Sequence, residues 1–313
     1  MTNRELYRAL RSCLEQGGAD APAFDAACLL ERFAGVRRGE LPLKGTQPAP
    51  PEAEREALRA ARRRAAGEPL QYLLGEWDFL NLTLEVGEGV LIPRADTELL
   101  CEEAARRLNA MEGRPGDPRR VLDLCSGSGC VALGLASLAP GVSVTAVEWS
   151  DDALAYLKRN CGRYPQLPVQ PVKADVLQDA GQFPGGLAAV VANPPYIPAP
   201  DLAGLMREVQ REPRMALDGG EDGLLFYRAI ARDWAGKLAP GGFCAVEVGV
   251  GQAGQVADLF REAGLEGIGT ARDLGGVERV VLGTRPMEKE SGVGRRVESS
   301  PRKTGPSGPA QGR

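Results

Sequence analysis

Val121-Leu-Asp-Leu-Cys-Ser-Gly-Ser-Gly129 is a short apolar run that breaks into a glycine and serine turn. A helical pattern over 129–138 follows at once, so the segment reads as strand, turn and helix. Gly127 and Gly129 allow backbone to approach a ligand where a Cβ would clash, and the helix N-terminus behind them offers free N–H groups. Outward from this unit, strand-like runs recur as VSVTAVE from 142, VQPVKAD from 169, LAAVVAN from 187, GFCAVEVG from 242 and ERVVLGT from 278. Helical patterns lie at 151–160, 223–238 and 252–263. The alternation predicts an α/β fold, an open and mostly parallel sheet with helices on both faces. Glu148 ends the second strand, nineteen residues past Gly129. In a doubly wound sheet those two strand ends are neighbours, so the carboxylate can accept both hydroxyls of a ribose. Gly127-x-Gly129-x-x-Ala132 also satisfies the dinucleotide fingerprint, and a tight turn followed by an ordinary exposed glutamate is the competing structural reading.

LAAVVANPPY places Asn193-Pro194-Pro195-Tyr196 where the fourth strand of this reading emerges at the C-terminal edge of the sheet. A proline pair can simply end a strand, because proline donates nothing to the ladder. It also fixes φ and extends the preceding residue, which holds the Asn193 side-chain oxygen and the Pro194 carbonyl side by side. Two acceptors match the two hydrogens of a planar NH2 group, and Tyr196 offers a flat wall beside them. Hydride transfer to a nicotinamide calls for no such segment.

Residues 1–75 carry apolar positions at helical spacing (Leu6, Leu10, Leu14; Ala26, Leu29, Leu30, Phe33) between breaks at 17–22 and 42–51, which predicts a small helical domain. Its Arg62-Arg63-Arg64 run is expected to form a solvated face, since consecutive residues spread around a helix. Partial alternation from Trp77 to Val90 suits a linking β-hairpin. The expected division is therefore a helical domain over 1–75, a hairpin linker over 76–93, an α/β domain over 94–286 and a disordered Ser/Gly/Pro/Arg-rich tail over 287–313.

The 313 residues include no histidine, which removes serine and cysteine nucleophiles that depend on imidazole, and zinc sites that use it. Seven cysteines without a C-x-x-C pair fit reduced thiols in the cytoplasm. The uncharged stretch from Cys125 to Val147 is broken by Pro140-Gly141 and is not expected to span a membrane, and the N-terminus has no signal-like core. Residues 76–286 hold 20 basic and 29 acidic side chains, a net of −9 and a poor footprint for a polyphosphate duplex.

The glycine loop, the acidic strand end and Asn-Pro-Pro-Tyr, in this order, resemble class I S-adenosylmethionine-dependent methyltransferases that act on planar exocyclic or amide nitrogen. A narrower resemblance rests on GEPLQYLLGEWDF (67–79), VLIPRADTELL (90–100), Glu212-Pro213 with Ala216-Leu217, Gly220-x-x-Gly223-Leu224 and RDLGGVERVVLG (272–283). Over about residues 60–285 the chain is similar to the HemK-type enzymes, which methylate N5 of the glutamine in the Gly-Gly-Gln motif of peptide chain release factors.

The resemblance implies a Rossmann-like methyltransferase sheet and S-adenosylmethionine as cofactor, with S-adenosylhomocysteine as product. It assigns Asp123, Cys125, Ser126, Gly127, Ser128, Gly129, Glu148, Asp175, Val176 and Asn193 to cofactor binding. Asn193, Pro194, Pro195 and Tyr196 become the catalytic and substrate-binding segment. Phe79 is a candidate wall for the glutamine, with a plain core role as the competing reading. Arg94 and Glu98 are candidates for the methionine end of the pocket, with a surface ion pair as the alternative. The expected partner is a release factor; neither a membrane, a metal nor direct nucleic acid is expected, and the chain is expected to be a monomer. An adenine N6 or cytosine N4 methyltransferase of nucleic acid is the alternative, since it uses the same acceptors. Cys125 stands where the family usually has glycine, and Arg211 where an aromatic residue is more usual.

Overall fold

The computed structural model describes residues 1–111 and 119–287. The segment 288–313, nearly all of the expected tail, lies outside the described residues.

Five helices open the chain: α1 (Asn3–Gln16), α2 (Pro22–Ala34), α3 (Leu41–Lys44), α4 (Pro51–Ala65) and α5 (Leu70–Leu74). Thr2 caps α1 through a reciprocal pair with Glu5, and Pro22 and Pro51 begin α2 and α4 where a missing N–H costs nothing. Leu6, Leu10 and Leu14 bury completely against Ala26, Leu29 and Leu30 and against Ala57, Ala60 and Ala61 of α4. The small side chains of α4 let the three helices approach closely.

The Arg62–Arg64 run corrects the sequence reading in one place. Arg62 and Arg63 are exposed, but Arg64 is buried, with its Nε 2.7 Å from Asp25 Oδ2 and a second ion pair to Glu208. It faces inward because α4 turns that side towards α2 and the loop after Gly204.

Strands β1 (Glu76–Phe79) and β2 (Leu82–Glu85) pair as an antiparallel hairpin with a two-residue turn at Leu80-Asn81. Leu80 adopts φ 52°, as such turns require, and its N–H donates to Glu98 Oε1 at 2.8 Å. Glu98 lies on α6 (Ala95–Ala110), a helix that the periodicity did not single out.

The remaining elements alternate: β3 (Arg119–Leu124), α7 (Cys130–Leu138), β4 (Val142–Glu148), α8 (Asp151–Arg163), β5 (Val169–Lys173), β6 (Leu187–Ala192), α9 (Leu225–Ala229), β7 (Leu238–Glu247), α10 (Ala253–Glu262), β8 (Glu266–Arg272) and β9 (Glu278–Thr284). Among the described residues the main sheet has the order β5-β4-β3-β6-β7-β9-β8. β5 to β7 are parallel, and β9 joins antiparallel to both β7 and β8. The helix expected over 223–238 is α9 followed by a π turn at Ile230–Trp234 and a 3-10 turn at Ala235–Lys237.

β6 is buried at every residue and flanked by cores on both faces, as an apolar strand central to a parallel sheet must be. The register sets Leu124 of β3 opposite Val147 of β4 and Ala192 of β6. The next residues of the three strands, Cys125, Glu148 and Asn193, therefore emerge together at the carboxyl edge, where open α/β sheets bind ligands. Among the described residues, no helix is long and apolar enough to cross a membrane.

Candidate active site

A cavity of about 430 Å³ opens at this edge. Its walls include the turn Cys125–Ser128, Glu148 at the end of β4 and Trp149 after it, Asp175 and Val176 after β5, and Asn193 and Pro195 after β6. Leu91 to Arg94 and Thr97 close it from the segment that enters α6, and Met215, Ala216 and Asp218 from the long loop before α9. A second cavity of about 180 Å³ adjoins it and shares Leu91, Arg94, Asn193 and Ala216. Pro194 and Tyr196 line only this smaller space. Asn193 thus stands at the junction of a large compartment and a small one.

The turn is built for close approach. Gly127 adopts φ 55° and a Cβ built there would meet nothing within 4 Å. Ser128 is buried, and its hydroxyl has no hydrogen-bond partner among the described residues. Glu148 Oε2 accepts from Gly127 N at 2.8 Å and Oε1 from Ser150 N at 2.7 Å. Each oxygen keeps a second lone-pair direction for a hydroxyl. Burial raises the Glu148 carboxyl above the usual carboxylate range, and the two backbone N–H groups oppose that shift. Asp175 Oδ1 accepts from Leu177 N at 2.8 Å, which closes a local turn and fixes its carboxylate at the cavity wall. Val176 is anchored from behind, because its carbonyl accepts from the buried Trp234 Nε1 at 2.9 Å.

Asn193 donates from Nδ2 to Thr97 Oγ1 at 3.0 Å, which leaves its side-chain oxygen as a free acceptor among the described residues. The following loop is held by its own backbone: Ile197 N donates to Leu217 O at 3.0 Å and Gly219 N to Ile197 O at 2.8 Å. Gln252 Nε2 donates to Tyr196 O at 2.9 Å. A Cβ on Gly219 would lie 2.8 Å from the Tyr196 backbone, so the close packing of these loops depends on glycine there. Arg94 pairs with the buried Glu212, whose Oε2 also accepts from Ile92 N at 3.0 Å. That pair ties the two walls of the cavity together.

With this geometry in view, the PrmC N-terminal domain family matches residues 5–75 and the methyltransferase small domain family matches residues 101–218. A release factor glutamine methyltransferase of Geobacter sulfurreducens is 39% identical over 283 residues, 90% of this chain and 96% of that protein. This chain belongs to the release factor glutamine methyltransferase family. The protein of that name from Moorella thermoacetica is 38% identical, over 84% of this chain and 91% of its own length. The solved catalytic domain of hMettl16, in complex with the MAT2A 3′UTR hairpin 6, aligns with TM-score 0.52 at 16% identity, over 72% of this chain and 81% of that one. At that identity the likeness speaks for the fold alone.

Members of this family are S-adenosylmethionine-dependent enzymes, and the larger cavity fits that donor. The orphaned Ser128 hydroxyl, the open face at Gly127 and the unused lone pairs of Glu148 are features that a polar ligand would satisfy.

Several sequence-predicted site residues stand elsewhere. Phe79 is buried in the core and lies beside Gly134 of α7, away from both cavities; the hairpin turns its ring inward as the last apolar residue of β1. Asp123 and Gly129 do not line the cavity. Asp123 lies wholly buried behind the turn, with Oδ2 accepting from Ala132 N at 3.1 Å, and the added Cβ of Gly129 would strike Leu157. Both shape the turn. Glu98 caps the hairpin instead of entering the pocket. Thr97, Trp149 and Met215 line the cavity without standing out in the sequence reading; nor does Glu247 stand out there, which lines neither cavity but accepts from Thr97 Oγ1 at 2.6 Å. Trp149 and Met215 carry a readable signal as large apolar side chains left exposed in loops, while Glu247 is a charge within an otherwise apolar strand.

Proposed function

We propose that this chain transfers the methyl group of S-adenosylmethionine to the side-chain amide nitrogen N5 of the glutamine in the Gly-Gly-Gln motif of peptide chain release factors. The observation that carries the reading is Asn193 at the junction of the two cavities, its side-chain oxygen unpaired among the described residues and its NH2 group already committed to Thr97. The large compartment suits the donor. The small one suits a single planar side chain, and the two relatives named above support the identity of that side chain.

An amide nitrogen is a weak nucleophile because its lone pair is delocalised into the carbonyl. When bound, S-adenosylmethionine supplies a methyl group activated by its sulfonium. The chain's own task is to hold the nitrogen. Asn193 Oδ1 and the Pro194 carbonyl accept the two N–H bonds, orient the nitrogen and favour the partial positive charge it gains. Both prolines stiffen this pair of acceptors. The surplus proton leaves to water, which requires neither a histidine nor a metal. A base NH2 would meet the same acceptors, but the net −9 of residues 76–286 disfavours a nucleic acid.

The test is Asn193→Ala, assayed with labelled cofactor and whole release factor, with mass mapping of the methyl group. The expected result is normal cofactor affinity with kcat lowered about 100–1000-fold, by analogy with the loss of one oriented donor from an oxyanion hole. Wild-type label appearing anywhere other than the Gly-Gly-Gln glutamine would refute the assignment.

A further inference from the structure

We propose that Thr97 and Glu247 are positioning residues for the transfer, and that they turn the Asn193 amide so that its oxygen, not its NH2 group, faces the substrate nitrogen. The inference rests on the function proposed above and deepens it. An asparagine amide fits its slot almost equally well in two orientations related by a half-turn. Only one of them can accept from a substrate amide, because the other sets NH2 against NH2.

The choice is made two residues away from the substrate. Glu247 Oε2 lies 2.6 Å from Thr97 Oγ1. An ionised carboxylate only accepts, so the single Thr97 hydroxyl proton is spent on it. Thr97 Oγ1 then has only lone pairs to offer Asn193 at 3.0 Å, and Asn193 must present its NH2 group there. The orientation follows from the chemistry of the chain of groups, whichever way the amide is drawn. Thr97 and Glu247 are 0% and 2% exposed, so the link between them is buried. Among the described residues no cation pairs with Glu247; Arg279 pairs with Asp96 and Asp273 instead. A carboxylate buried on β7 without a counter-ion is costly, and its side-chain partners are Thr97 and, at 3.5 Å, the Tyr196 hydroxyl. Both belong to the neighbourhood of Asn193.

The arrangement has a pH signature. Burial pushes the Glu247 carboxyl up to about 7. Once protonated it can donate to Thr97 Oγ1, which frees the Thr97 proton to point at Asn193 and favours the reversed amide. The groups that face Glu247 are Asp96 and Cys101 on α6, Cys130 on α7, Tyr196 after β6, Tyr227 on α9 and Arg279 on β9. Turnover should therefore rise with pH as Glu247 loses its proton near 7. Asp123 is also pushed up to about 7 by burial, but it supports the cofactor turn, so its protonation should appear in cofactor affinity and not in kcat at saturating cofactor.

The experiment compares wild type, Thr97→Val, Thr97→Ser and Glu247→Gln on whole release factor, with kcat and KM followed across about pH 5 to 9 and cofactor affinity measured by calorimetry. Thr97→Val should lower kcat about tenfold or more, with cofactor affinity within about twofold of wild type, and Thr97→Ser should recover kcat to within about threefold. Glu247→Gln should flatten the acid limb that wild type shows. The proposal is overturned if Thr97→Val keeps its kcat, if Thr97→Ser falls as far as Thr97→Val, if cofactor affinity falls in step with kcat, or if Glu247→Gln keeps the acid limb. A wild-type chain that leaves release factor unlabelled sinks the function itself, a result distinct from an active wild type with an indifferent Thr97→Val.

Discussion

Cys125 holds φ at 59°, in the left-handed region, at the point where β3 leaves the sheet and turns towards Glu148. A Cβ there costs about 1–2 kcal/mol for most residues, whereas glycine adopts the conformation freely. Glycine gives back about 0.5–1 kcal/mol through the greater freedom of its unfolded chain. Cys125→Gly should accordingly raise the stability of the protein by several tenths to about 1 kcal/mol, and Cys125→Val, branched at Cβ, should lower it by more than about 1 kcal/mol. Urea unfolding of the three proteins decides the matter, and a valine variant as stable as wild type would show that the turn is not strained. The thiol is not expected to be reactive, because burial and the nearby Glu148 raise it well above the usual thiol range. Its place in the site is steric: it lines the cavity where the resemblance led one to expect only hydrogen.

At the scale of elements, the hairpin β1–β2 separates two roles that Phe79 could have had. Its ring is 1% exposed and belongs to the same buried core as Leu100, Ala104 and Leu133, so Phe79→Ala should cost about 3–5 kcal/mol of stability. KM for release factor should change little for the fraction that remains folded. A raised KM with unchanged unfolding would restore Phe79 to the substrate wall. The parallel core was legible because β3, β4 and β6 are short apolar runs ending in a glycine turn, a lone glutamate and a proline pair, each of which stops a strand for a different reason. β8 was not, since Gly267 and Gly269 within Glu266-Gly-Ile-Gly-Thr-Ala-Arg272 erase the alternation that marks a strand. α6 was missed as well. Its N-cap position is Arg94, which makes no side-chain cap, so the usual start signal is missing. The same gap hid Thr97, whose role depends on Glu247 150 positions later in the chain. No local pattern can report a contact of that range, whereas Asn193 and Glu148 announce themselves at strand ends.

The whole molecule must engage a folded protein and not a free amino acid, and a specific contact of that kind covers far more surface than one glutamine side chain. The helical unit of α1 to α5 is the candidate for the additional contact, and it is attached to the rest of the chain at Tyr72 of α5, whose hydroxyl donates to Val90 O at 2.6 Å, at Trp77, which packs on its core, and at the end of α4. Arg64 is nearly buried between Asp25 of α2 and Glu208, and Arg207 Nη2 donates to Ala66 O at 3.2 Å. The loop that carries Arg207 and Glu208 continues into Val209, Ala216 and Leu217, which line the small cavity. The polar contacts at the end of α4 thus join the helical unit directly to the loop that lines the proposed glutamine slot, and Glu208 is their accessible member, with its side chain 29% exposed. Glu208→Lys sets a cation against Arg64 while leaving the Arg64–Asp25 pair in place. Cofactor affinity should stay within about twofold of wild type, and a short peptide containing Gly-Gly-Gln, which reaches only the slot, should be methylated with unchanged KM. KM for whole release factor should rise about tenfold or more, because a partner bound at both places feels the altered spacing as lost contact. If KM rises equally for peptide and whole factor, the substitution has disturbed the slot itself; if it rises for neither, the helical unit serves some purpose other than holding the release factor.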